Sequence, residues 1–162
     1  MALSRWVFHA LIVGFAFSSH VAFSADTNKQ KDQLRWMMRI QEASTTQPIV
    51  DYCRNNAPDS AKALDAGYVN YTRLMETARE TWIQTLSEAE LAKAPTANDL
   101  KEASAKIREI SALLIASVRT HDAQRYCPAL AARLSAFTPE TAAKSIADAQ
   151  AKINAARDRL KH

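Results

Sequence analysis

Apolar residues recur along this chain at helical spacing, and nowhere do they alternate with polar residues for long enough to make a strand. The clearest run covers residues 58 to about 93. Ala61, Tyr68, Met75, Trp82 and Ala89 repeat every seven residues there, interleaved with Leu64, Tyr71, Ala78 and Thr85. That pattern predicts a long helix with one apolar stripe, packed along its whole length. A second long helix follows within three residues. Thr96 suits its N-cap, with Asp99 in the capping-box position, and its stripe is Leu100, Ala103, Ile107, Ile110, Leu114 and Ser117, flanked by Leu113 and Val118. So short a connection predicts that the two lie antiparallel.

Two further segments complete the pattern. Thr138, Pro139 and Glu140 open a terminal helix with a cap, a proline at the first position and an acid in the first turn, and Ile146, Ala149, Ile153, Ala156 and Leu160 continue it. Upstream, residues 32 to about 43 carry Leu34, Trp36, Met37, Met38 and Ile40, and beyond Thr45, Thr46 and Pro48 a short helix runs through Cys53. The five prolines, at 48, 58, 95, 128 and 139, read as punctuation, because proline breaks a helix interior. The expectation is an all-α chain: an antiparallel four-helix bundle whose first and third helices are each interrupted by a proline.

Composition agrees and adds a compartment. The chain is rich in Ala, Leu, Gln, Glu, Lys and Arg, all good helix formers, and beyond the N-terminal segment Gly67 is its only glycine. At the N-terminus Arg5 precedes an apolar run over residues 6–17, and no acid appears before Asp26. This is the layout of a secretory signal. Cleavage after Ser24, with Ala22 and Ser24 at the small-residue positions, leaves one domain of residues 25–162 in the periplasm or outside the cell. The apolar run is short of the roughly 20 residues of a membrane span. Losing Arg5 lowers the formal charge from +4 to +3, and basic residues are interspersed with acids throughout, so no stripe suits nucleic acid.

In an oxidising compartment the two cysteines, Cys53 and Cys127, are expected to pair. A hairpin turning near Pro95 sets Cys127 level with Ala63, and a reversal near Pro58 sets Cys53 level with Lys62, so both reach one height in the bundle. A bridge closing so long a loop stabilises by roughly 4.5 kcal/mol at most. The rival reading, a thiol-dependent redox protein, lacks the Cys-x-x-Cys spacing that fast oxidoreductases use.

Other chemistry is sparse. His121 stands six residues before Cys127, a poor spacing for a nucleophile and its base on one helix, and beyond the N-terminal segment the only other histidine is His162, so no metal site is expected. The haem attachment motif Cys-x-x-Cys-His is absent; axial ligation by His121 with Met75, Met37 or Met38 founders on their different heights, and no cofactor is expected. Asn70, Tyr71 and Thr72 match a glycosylation sequon inside a helix and read as accidental. Glu76, Glu80, Glu88 and Glu90, with Arg73 and Arg79, read as solvated charges. There is no phosphate loop and no nucleophile motif. The chain is therefore read as a non-enzymatic exported protein that acts by binding another protein or in the envelope. The alternative is a periplasmic chaperone, with Trp36, Met37, Met38 and Ile40 as the partner-binding surface.

Overall fold

The computed structural model describes residues 27–159; the expected signal segment, residues 1–24, lies outside them, as do Leu160, His162 and the side chains of Ile153 and Ala156. Every element among the described residues is helical: α1 (Thr27–Asn56), a 3-10 turn (Pro58–Ser60), α2 (Ala61–Thr85), α3 (Glu88–Leu91), α4 (Ala97–Val118), α5 (Ala123–Ser135) and α6 (Pro139–Arg159). None of these helices is long and apolar enough to cross a membrane.

Pro58, Pro95 and Pro139 stand at breaks as expected, but Pro48 and Pro128 do not. α1 is one helix of 30 residues that runs straight through Pro48, so the first helix is not interrupted. Pro48 has no N–H to offer Ser44, an interior cost of about 3 kcal/mol. Ile49, Val50 and Cys53, all buried in the next turn, offset it by packing into the core. Nor is the third long segment broken at Pro128, which sits inside α5. It is broken earlier, where the Asp122 carboxylate accepts the Gln124 N–H at 3.0 Å and starts a new helix. The helix expected over residues 58–93 likewise ends at Thr85, because Ser87 and Glu90 form a capping box of their own that starts α3. Local side-chain capping, rather than the proline ring, sets these boundaries. At two other starts the expected caps are present: Thr96 N–H donates to Asp99 at 2.8 Å, and Thr141 N–H donates to Thr138 Oγ1 at 3.2 Å.

Two ion pairs and a hydrogen bond fix how α1 meets α2. Lys31 reaches Gln84, Arg35 reaches Glu80 and Arg39 reaches Glu76, so partner numbers fall on α2 as they rise on α1 and the two helices run in opposite directions. Against α5 the numbers rise together. Gly67 faces Ala131 and Leu134, while Asn70 Nδ2 donates to the carbonyls of Leu134 at 3.3 Å and Phe137 at 3.1 Å. α6 continues along α2 past that point. α4 lies against α1, not against α2 as the short connection had suggested. The turn of α3 carries the chain across the start of α1, where Leu34, Ile83 and Leu91 form a small separate core. The result is a row in the order α4, α1, α2, then α5 and α6. Its two ends, α4 and the α5–α6 pair, make no close backbone approach to each other, and the space between them is a cleft.

Gly67 sets the α2–α5 spacing. An added Cβ would lie 2.9 Å from Ser135 Oγ and 3.0 Å from both the Ala131 carbonyl oxygen and Leu134 Cβ. Ser135 Oγ can rotate away; the carbonyl and Leu134 belong to a packed helix and cannot. In an open helix Gly→Ala gains about 1 kcal/mol, whereas overpacking costs about 1–3 kcal/mol. Gly67→Ala is therefore expected to destabilise by about 1 kcal/mol, read in urea denaturation; a gain in stability would show that α5 has room to shift.

Arg35 grips Glu80 with two N–H groups, at 2.8 and 2.6 Å, and this holds the Glu80 carboxyl down at about 2. The folded value is depressed below the ordinary 4.5, so the stabilisation is complete above that pH and is lost as the pH falls through about 2. Both side chains are partly exposed, so screening keeps the energy small. The carboxyl carbon of Glu80, followed by NMR, is expected to titrate near pH 2 and to return toward 4.5 in Arg35→Gln; titration near 4.5 in the wild type would refute the grip.

Candidate functional site

The cleft has a volume of about 610 Å³ and is bounded by five helices. Met38 and Ile49 of α1 with Tyr71 and Met75 of α2 form its floor, Leu114 of α4 stands on one side, and Leu130 and Ile146 on the other. These residues face it because α4 cannot reach α5: stripe positions that would close a bundle are left lining a hollow. Leu114 is only half-buried although it continues the stripe of Leu100, Ala103 and Ile107, which are buried against α1.

Polar groups enter the hollow at defined places. In the floor Arg79 pairs with Glu42, both side chains about nine-tenths buried. Tyr71 shares a hydrogen bond with Thr46, and burial nonetheless raises its hydroxyl pKa. Burial also pushes Tyr126 up, and Tyr68 beside the cleft up to about 12, where nearby Glu42 adds to the effect. All three tyrosines are thus neutral hydroxyls at physiological pH. His121 stacks on Tyr126 with ring centroids 5.8 Å apart. Along the α5 edge stand Arg125, Ala129 and Arg133, four residues apart and so on one face of the helix.

The cysteines meet as expected. Cys53 and Cys127 form a disulfide with S–S 2.06 Å and Cα–Cα 5.4 Å, and neither has any solvent exposure. The bridge ties the end of α1 to α5 at the head of the cleft, where Gln124 Nε2 also donates to the Asn56 carbonyl at 3.1 Å. The four residues expected to bind a partner are not one surface. Trp36 is 45% exposed and faces a shallow recess with Ala97 and Leu100. Met37 packs on the small core and Met38 on both cores, with Met38 reaching the cleft floor, and Ile40 is half-buried.

Two other expectations change. Met75 and Met38, which seemed displaced in height from His121, border the same cleft with it, whereas Met37 does not. Among the described residues no three His, Cys, Asp or Glu side chains converge as a metal site. Arg79 is not a solvated charge, and Glu76 and Glu80 are interhelix partners of Arg39 and Arg35. The Asn70 amide is already engaged with the end of α5, which leaves the sequon's nitrogen committed in the folded chain. Sequence reasoning missed the cleft and its arginines. The spacing of Arg125, Ala129 and Arg133 was readable, but only the failure of α4 to close the row makes that face a wall.

No family model, curated protein or solved structure matches this chain.

Proposed function

We propose that this is an exported, non-enzymatic binding protein that acts by holding a ligand in the cleft. The observation that carries the reading is the cleft itself. Its 610 Å³ falls within the roughly 300–1,000 Å³ of small-molecule sites, and it has their makeup, an apolar floor with a few placed polar groups. Two kinds of nucleophile nearby are otherwise engaged: Cys127 is in a disulfide, and the tyrosines hold their protons. Such a site grips and releases.

We further propose that the architecture is a four-helix bundle opened along one side, in which α1 and α2 run antiparallel, α5 runs parallel to α2, and α5 and α6 together serve as the fourth rod, and that the protein works in the periplasm after cleavage following Ser24. The long-range disulfide supports an oxidising compartment. Recovered from a bacterial periplasm, the chain should begin at Ala25 and weigh two hydrogens less than its reduced form; an intact N-terminus would refute export by cleavage.

Filling the hollow tests the cleft reading. Nile red, an uncharged apolar dye, is expected to bind at one site per chain, and Ile146→Trp, which puts a large ring into the wall, should weaken it about tenfold or more through lost apolar burial. Dye that fails to saturate, or that ignores the substitution, would sink the proposal.

A further inference from the structure

Resting on the cleft as a binding site, we propose that its ligand is a singly charged anionic amphiphile with one apolar chain, of the class of long-chain carboxylates, whose head is held by Arg125 and Arg133.

Charge along the cleft is the first argument. Arg35, Arg39, Arg54 and Arg79 are each held by a carboxylate. Among the described residues Arg125 and Arg133 have no ion pair, although both border the cleft. Eight residues separate them, about 12 Å along the helix axis. Ala129 lies between them with almost no side chain, so two long guanidinium stems can lean toward one group over it. The acids of the cleft are largely answered. Glu42 is paired with Arg79, and Asp148 lies 3.7 Å from Lys144. Asp122 caps α5 and has no ion-pair partner among the described residues. The lining itself is balanced, with Arg79, Arg125 and Arg133 against Glu42, Asp122 and Asp148; because Lys144 answers Asp148 from outside the lining, the two unpaired arginines against Asp122 leave a local surplus of one positive charge at the α5 edge, which suits a monoanion. A carboxylate also fits the planar guanidinium fork.

Shape and lining supply the second argument. Met38 and Met75 in the floor are adaptable side chains that suit a flexible chain of methylenes, with Tyr71 and Ile146 beside them. The volume argues against a partner helix: a single helical turn, 10–12 Å across and 5.4 Å tall, occupies on the order of 500 Å³. Helix-in-groove docking uses anchors over at least two turns. The cleft holds about one.

The test uses calorimetry on the delipidated, oxidised protein, with dodecanoate and dodecanol below their aggregation limits. Dodecanoate is expected to bind once per chain, roughly tenfold or more tighter than dodecanol, since hydrogen bonds to charged groups carry that difference. Arg125→Ala with Arg133→Ala should remove the difference by weakening dodecanoate alone, while Lys62→Ala with Lys101→Ala, an equal charge change outside the cleft, should leave it. Equal binding of acid and alcohol, indifferent to the arginines, would overturn the anionic head and keep the cleft reading. No binding of either, or binding unaffected by both Ile146→Trp and Ala129→Phe in variants of unchanged helical content, would overturn both. Ala129 is exposed, so its substitution tests the cleft without disturbing the core.

Discussion

Breaking the Cys53–Cys127 bridge is expected to lower the melting temperature by about 10–15 °C. The bridge spans a sequence separation of 74, and removing so long a closed loop from the unfolded chain is worth roughly 4.5 kcal/mol at most. In a domain of this size each kcal/mol moves the midpoint by about 3–4 °C. Position adds to length. α1 and α5 touch over a short stretch, and the bridge pins them there, close to Pro48 and Pro128, each of which removes a hydrogen bond from its helix. Because both sulfurs are fully buried, Cys53→Ser also places a hydroxyl in an apolar core. The double Cys53→Ala, Cys127→Ala variant separates the two effects: its melting point should match that of the wild-type protein unfolded, reduced and refolded with reductant. A midpoint unchanged by reduction would show the bridge to be incidental.

The second large effect lies in the cleft floor. Arg79→Met is expected to destabilise by about 3 kcal/mol, because Glu42 is then left charged and nearly buried with no partner. The figure is the lower end for such breaks, since the open cleft lets water reach the carboxylate. Glu42→Leu combined with Arg79→Met should recover most of the loss, as apolar replacements of buried pairs are often neutral. A double variant as unstable as the single one would show that the pair does more than compensate itself. The single substitution also carries a binding signature. An unanswered negative charge in the floor should weaken dodecanoate more than dodecanol, while the double variant should restore the preference.

Much of the helical content was legible because it is locally encoded. The caps at Thr96 and Thr138 and the buried stripe of Leu64, Tyr71 and Met75 follow from residues within a turn or two of one another. Two breaks escaped for a related reason. Ser87 with Glu90 and Asp122 with Gln124 are also local signals, but the prolines nearby carry a stronger general rule, and at Pro48 that rule lost to the burial of Ile49, Val50 and Cys53. Local preference sets a cost that tertiary packing can exceed.

The candidate site was hidden at another level. Arg79, read by its helix position, belongs with solvated charges; its environment depends on Glu42, which arrives from α1, and on which helix covers it. Arg125 and Arg133 are ordinary surface arginines unless α4 stops short of α5.

By itself the sequence determined the all-helical class, its stripes and several of its caps, because helix periodicity and capping act over about four residues. It also indicated the cysteine pairing, from an even cysteine count in a chain read as exported; the hairpin at Pro95 from which the common height was derived is absent, since α4 lies on α1 and α5 runs parallel to α2. Only the tertiary structure decided that α4 lies on α1, that α5 and α6 share α2, and that the space between is a cleft. Apolar stripes say that helices must pack, but they are alike in character and do not name their partners; the choice is made by long-range contacts such as the close approach at Gly67 and the Asn70 bond to the end of α5.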